Sequence, residues 1–281
     1  MQRIAKDILV ETKFPGVTVG AILGPDGIIC IDAPTHPADA RAWRQQLEQT
    51  VGKPIRFVVN LDHHRDRTLG NQWLEAPVVA HELVYERARL LPEFYRSLPT
   101  EVGADSEAVT DLTGLRVSVP QVTFSDRLTL VAGDREVHLV HRPGVAPGAI
   151  WAEIPAQGVV FTGDAVTHKV PPVLQEADLD AWLDALAELR KKRSAGRLIV
   201  PGRGSVTDKD GVKPTEDFLK TARRKVEALV RAKKPRAELD ALAHDLLGKP
   251  AGAADLRALY LRRIRAGLEH LYDQFTIAPL K

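Results

Sequence analysis

Asn60-Leu-Asp-His-His-Arg-Asp-Arg-Thr-Leu-Gly-Asn71 is the stretch on which the fold turns. Residues 60–67 of it carry two carboxylates, two imidazoles and two guanidinium groups. It follows directly on Ile55-Arg-Phe-Val-Val59, a short apolar run that fits a buried strand. A polar cluster just past a strand end is where layered α/β folds build their sites.

Working outward, the flanks alternate strand and helix. Upstream, residues 17–23 and 28–32 read as two strands joined at Gly24-Pro-Asp-Gly27, where Pro presets φ and Gly tolerates positive φ. Residues 38–50 carry Ala42, Trp43, Leu47 and then Val51 at helical spacing, ending near Gly52. Downstream, 77–80 is a short strand and 82–91 a helix, leading into an irregular stretch to about residue 113. Residues 117–119, 123–124, 127–131 and 136–141 read as consecutive strands, with Gly133-Asp134 at a hairpin turn. Two more strands, 150–154 and 159–162, follow the loop Pro143-Gly-Val-Ala-Pro-Gly148. The helix 179–189 puts Leu179, Trp182, Leu183, Leu186 and Leu189 on one face, and a last strand spans 198–200. From Thr215 the chain is helical, broken at Lys233-Lys-Pro235 and Gly248-Lys-Pro-Ala-Gly252.

Bulk composition narrows the classes. A 281-residue chain with 44% hydrophobic residues can bury a sizeable core without disulfide or structural metal. A net charge of +2 gives no electrostatic case for a nucleic-acid partner. The single cysteine, Cys30, excludes an internal disulfide and sits in an apolar run, where it reads as a small buried hydrophobe. The start lacks an apolar signal region and no stretch approaches membrane-spanning length, so neither secretion nor a membrane is expected and a cytoplasmic location is.

Four clusters taken in order resemble the metallo-β-lactamase superfamily. The Asn60–Asn71 loop is similar to the family's Asn-x-His-x-His-x-Asp-His-x-x-Gly-Asn. Pro143-Gly-Val-Ala-Pro-Gly148 is similar to Pro-Gly-His-Thr-Pro-Gly, Val159-Val-Phe-Thr-Gly-Asp164 to the family's strand and bridging aspartate, and Val200-Pro-Gly-Arg-Gly204 to Val-Pro-Gly-His-Gly. Gly27-Ile-Ile-Cys-Ile-Asp32 looks like the family's second strand. The resemblance implies an α/β (α+β) fold, a four-layer αββα sandwich over residues 1–212. Residues 213–281 are expected as a C-terminal helical extension packed on it, with a homodimer contact as the alternative use of its apolar stripes.

The resemblance also implies a site with two metals. Carried over position by position, Asp62, His64 and Val145 stand at the first metal, Asp66, Arg67 and Arg203 at the second, and Asp164 bridges them. Val145 has no lone pair, and arginine has five donors and no acceptor. Arg67 and Arg203 therefore cannot ligate, and a dinuclear zinc centre is not expected. Instead they are expected to pair with Asp66 and Asp164 in forked salt bridges. The cofactor is then either absent or a single divalent metal (zinc, iron or manganese) on Asp62, His64 and Asp164. His63 reads as a supporting or surface histidine, His138 and His141 as core or surface histidines, and His168, four residues past Asp164, as a surface histidine or one that reaches the pocket mouth.

Three functions stay open at this point. One is a family hydrolase with a degenerate site or one metal, acting on a small ester, thioester or lactone, with Asp66 orienting or deprotonating the water. Another is a binding protein in which Arg67 and Arg203 clamp a small anionic ligand. The third is a scaffold whose C-terminal helices meet a partner. The clusters Arg190-Lys-Lys-Arg193, Arg223-Arg-Lys225 and Arg262-Arg-Ile-Arg265 read as solvated helix faces.

Overall fold

The computed structural model describes residues 1–93, 101–191, 197–248 and 254–277, the side chains of 254 and 255 excepted. Seven strands form the first sheet, in chain order: β1 (Gln2–Ala5), β2 (Ile8–Glu11), β3 (Val19–Gly24), β4 (Gly27–Ile31), β5 (Ile55–Val59), β6 (Val78–His81) and β7 (Val122–Phe124). The second sheet runs β12-β11-β10-β9-β8, built from β8 (Arg127–Ala132), β9 (Arg135–His141), β10 (Ile150–Ile154), β11 (Val159–Thr167) and β12 (Leu198–Arg203). Strands β4 to β7 pair in parallel, as do β11 and β12. Their C-terminal ends deliver the polar loops to one region.

Three apolar clusters define four layers. Between the sheets, Ile8, Ile22, Ile31 and Val59 of the first meet Leu139, Ile150, Phe161 and Val200 of the second. On the outer face of the first sheet, Trp43 and Leu47 of helix α1 (Pro37–Val51) pack on Val19, Ala21, Cys30 and Val58. Gly52, at φ 68°, closes α1 by donating its N–H to the Glu48 carbonyl. On the outer face of the second sheet lie the longer helices that follow, which the short helices α2 (Arg65–Thr68), α3 (Asn71–Leu74) and α4 (Glu82–Ala88) precede in the chain. These are α5 (Leu179–Arg190), α6 (Lys213–Arg231), α7 (Glu238–Leu247) and α8 (Ala254–Ile277). Trp182, Leu219, Leu242 and Leu268 from them share one cluster with Trp151, Val160 and Val166. The αββα sandwich expected from the sequence is what forms, and the C-terminal helices share its core. Trp182 is so close that a side chain on Gly144 would put its Cβ 2.6 Å from the Trp182 Cα.

Some details differ from the sequence reading. The hairpin β1–β2, turned at Asp7 with φ 58°, escaped it. Residues 117–119 form no strand; the Val117 N–H goes to the Glu93 carbonyl, and Pro120 has no N–H to extend a ladder. Strand β11 runs five residues past Thr162, every residue of it buried. The Arg190–Arg193 cluster and the second break fall partly outside the described residues. No helix among the described residues is long and apolar enough to cross a membrane.

Candidate functional site

Strand ends bring together a buried cluster of charges. Loop residues Asp62, His64, Asp66 and Arg67 come from the turn after β5 and from α2. Asp164 comes from β11 and Arg203 from the last position of β12. Each of these six side chains is at most 3% exposed by residue.

Arg67 is the hub. Its Nη1 donates to Asp32 Oδ2 at 2.6 Å, its Nε lies 2.8 Å from Asp62 Oδ1, and its Nη2 lies 2.6 Å from Asp164 Oδ1. The last two meet at ion-pair distance but off the hydrogen-bond line. Arg203 approaches Asp164 from the other side: Nε donates to its two oxygens at 3.2 and 3.1 Å, and Nη2 donates to Oδ2 at 3.0 Å. The remaining Nη1 of Arg203 lies 2.8 Å from Asp66 Oδ2 and donates to Asp105 Oδ2 at 3.0 Å. Asp66 also accepts the backbone N–H groups of Ser106 and Asp105, at 2.7 and 3.2 Å.

The imidazole of His64 lies with Nδ1 2.9 Å from Asp62 Oδ1. Asp62, His64 and Asp164 each offer one ligand atom, and these lie within 4.8 Å of one another, a spacing that could hold a metal ion. Among the described residues, Asp62 Oδ2 is buried without a hydrogen-bond partner. Val145 sits 2% exposed in the apolar cluster of Trp182 and Leu186.

The matches to known proteins follow this layout. A family model, Metallo-beta-lactamase superfamily, matches residues 14–203. The chain belongs to the metallo-beta-lactamase superfamily. Solved structures of the superfamily share its fold. A metallo-beta-lactamase family protein from Thermus thermophilus is 18% identical, with 97% of this chain and 95% of that one covered at a TM-score of 0.70. A metallo-beta-lactamase from Pontibacter korlensis is 18% identical, with 78% of this chain and 97% of that one covered at a TM-score of 0.63.

Within this superfamily member the other histidines lie around the cluster. His63 stacks on His64 with ring centroids 4.8 Å apart and pairs with Glu176 at 3.2 Å, so it braces the cluster instead of facing solvent. His63, Arg65 and Glu101 line a neighbouring cavity of about 150 Å³. His141 stacks on His81 and meets the Pro147 carbonyl, His138 pairs with Glu136, and His168 meets the Ser205 carbonyl.

Three members of the cluster were not singled out by the sequence. Asp32 ends a strand whose pattern was quoted without assigning it a role. Asp105 lies in a segment read as irregular and gave no signal. Arg263 is a correction, because the Arg262–Arg265 run reads as a solvated face, yet Arg263 is 0% exposed. Its Nη2 donates to Asp105 Oδ2 at 2.7 Å. A signal existed: Tyr260, Arg263, Gly267 and Leu271 follow helical spacing along the buried side.

Electrostatics sets the titration of this superfamily site. Burial pushes Asp32 up, Arg67 pulls it back and Asp62 adds repulsion, leaving it at about 6. Burial would raise Asp164 too, but Arg203 and Arg67 hold it down at about 2. Asp62 is likewise lowered, against burial, by Arg67 and His64. Burial lowers the His64 ring, and the charge and hydrogen bond of Asp62 overcome this to carry it up to about 9.

The signs follow from linkage. A buried acid raised in the folded state favours folding as pH falls through 6, with the gain complete near the unfolded value of about 4. A raised histidine stabilises fully below about 6.5, and that contribution is lost as pH rises through 9. The lowered Asp164 stabilises above about 4 and loses its contribution as pH falls through 2. Burial lowers His63 and His81, so below about 6.5 these two offset part of the gain from Asp32. Urea unfolding should therefore show stability declining from about pH 7 towards pH 9, and a flat profile over that range would contradict the assignment of His64.

Proposed function

We propose that this superfamily member has a degenerate hydrolase site in which arginines take the place of the dinuclear metal centre. One observation carries the reading. Asp164, which aligns with the family's bridging aspartate, receives Arg203 on both oxygens and Arg67 at 2.6 Å. The lone pairs that would bridge two cations are spent on guanidinium groups.

The remaining donors do not fit two metals either. Val145 offers no lone pair, and Arg67 and Arg203 offer only donors. Their charge would also repel a cation set beside them. Arginine does not deprotonate in proteins, so a rise in pH does not free the positions. Asp66, which the family resemblance would use on the attacking water, is 0% exposed and has its oxygens on Ser106, Asp105 and Arg203.

A second reading, a one-metal hydrolase of a small ester, thioester or lactone, has a specific observation in its favour. Asp62, His64 and Asp164 keep ligand spacing, and Asp62 Oδ2 keeps a free lone pair. Against it stands Arg67, 2.8 and 2.6 Å from the two carboxylates. The anion clamp has less support. Asp32, Asp62, Asp66, Asp105 and Asp164 surround the two arginines, so an incoming phosphate or carboxylate meets negative charge and finds the forks occupied.

Metal analysis separates the readings. Protein purified without chelator is expected to carry less than about a tenth of an equivalent of zinc, iron or manganese per chain. About one equivalent, removable by chelator with loss of esterase or lactonase activity, would instead establish the one-metal hydrolase.

A further inference from the structure

The cluster is closed by parts of the chain that no metal-ligand motif contains. Segment 103–107, which contains the first three residues of the single-turn helix Asp105–Ala108, lies across Asp66 and Arg203. Helix α8 lies over that segment. Arg263 Nε donates to the Gly103 carbonyl at 2.8 Å, and its Nη2 donates to the same Asp105 oxygen that accepts Arg203. Arg262, its neighbour, pairs with Glu107. Gly103 has φ 76°, and a Cβ there would fall 2.4 Å from the Arg263 nitrogen, so no side chain fits between segment and helix.

We infer that α8 is a latch on the charge cluster: Arg263 pins segment 103–107 over Asp66 and Arg203, and the cluster stays closed only while that contact holds. The inference rests on the reading of the cluster as a set of salt bridges, since a latch over a working metal centre would shut out substrate. Charge supports it. Asp32, Asp62, Asp66, Asp105 and Asp164 supply five carboxylates, and Arg67, Arg203 and Arg263 supply three of the balancing cations. Arg263 is the one that comes from beyond the matched residues 14–203.

Arg263 Nη1 is buried with no hydrogen-bond partner among the described residues, so the side chain is held by its Nε and Nη2 contacts to the segment. The guanidinium carbon sits 5.3 Å from the Tyr260 ring centre, within cation–π range, which holds the side chain to its own helix when the segment lifts. Lifting the segment would expose Asp66, Asp105 and Arg203 together.

Hydrogen exchange on the full chain tests this at residue level. The amides of Asp105 and Ser106 report on the segment, because both donate to Asp66. In Arg263→Gln their exchange should speed up at least about tenfold, with amides of β5 and β11 unchanged. Arg263→Lys keeps the charge but not the fork, and should give a smaller rise at the same two amides. The control Arg265→Gln, which removes ion pairs to Asp240 and Glu269 elsewhere on α8, should leave them as in the natural chain. If Arg263→Gln does not fold, the comparison of Arg263→Lys with Arg265→Gln decides. Unchanged exchange at both amides, or a rise shared equally with β5 and β11, overturns the latch. Metal found in the natural chain would overturn the salt-bridge reading separately, without touching this measurement.

Discussion

Replacing Arg67 with methionine should destabilise the protein by about 3–5 kcal/mol at pH 7.5, the range for removing one partner from a buried ion pair. Arg67 is 0% exposed and stands among Asp32, Asp62 and Asp164. Methionine fills much of the same volume, so cavity formation contributes little and the loss is mainly electrostatic. Three carboxylates are then left facing one another without their shared cation. They answer by binding protons, which costs less as pH falls. The deficit should therefore shrink between pH 7.5 and pH 5, a pattern that a packing defect would not produce. The comparison is the partly exposed pair Arg44–Glu48, with side chains 28% and 38% exposed, where Glu48→Gln, which leaves the Arg44–Glu75 pair in place, should cost no more than about 1 kcal/mol. Urea midpoints at the two pH values measure both. A loss below about 1 kcal/mol for Arg67→Met at pH 7.5 would mean the hub is not electrostatic.

Most of the fold was legible because its signals are local. Strand β5 and helix α1 show it well: an unbroken apolar run marks the one, and Trp43, Leu47 and a terminal Gly52 mark the other. Signals failed where pairing is decided by a distant partner. Gly163-Asp164 reads as a strand end, yet β11 continues through Gly163, at φ 55°, to Thr167 because β12 lies parallel beside it. Residues 117–119 carry two valines, yet Val117 spends its N–H on the Glu93 carbonyl and Pro120 has none to extend a ladder.

The site divides in the same way. His64, Asp66, Arg67, Asp164 and Arg203 were found because each sits inside a short motif with its own spacing. Asp105 and Arg263 were not, because what defines them is contact across the chain. Arg203 and Asp105 are 98 residues apart, and Arg263 and Asp105 are 158 apart. No local pattern encodes that a basic helix position will meet an aspartate of an irregular segment. The only trace is that Arg263 keeps step with the apolar stripe, where a permanently charged residue requires a buried counter-ion.

Placing histidines at the four substituted ligand positions should confer a zinc response on the chain. The variant Asp62→His, Arg67→His, Val145→His and Arg203→His removes two permanent cations and puts four imidazoles at the positions the family resemblance gives to metal ligands. Without metal it should be far less stable than the natural chain, since Asp32, Asp66 and Asp164 lose their arginine partners. Zinc would then supply the absent positive charge. Because it binds the folded state and stabilises by RT ln(1 + [L]/Kd), free zinc at 100-fold over Kd should return about 2.7 kcal/mol. The natural chain should show no such shift. The weakest step is Val145→His, which sets an imidazole against the apolar cluster of Trp182 and Leu186. The triple variant that keeps Val145 should therefore fold better yet hold zinc less tightly than the quadruple. Thermal melts with and without zinc read out all three proteins. Equal zinc response in the natural chain and the quadruple variant would show that the arginines do not decide whether metal binds.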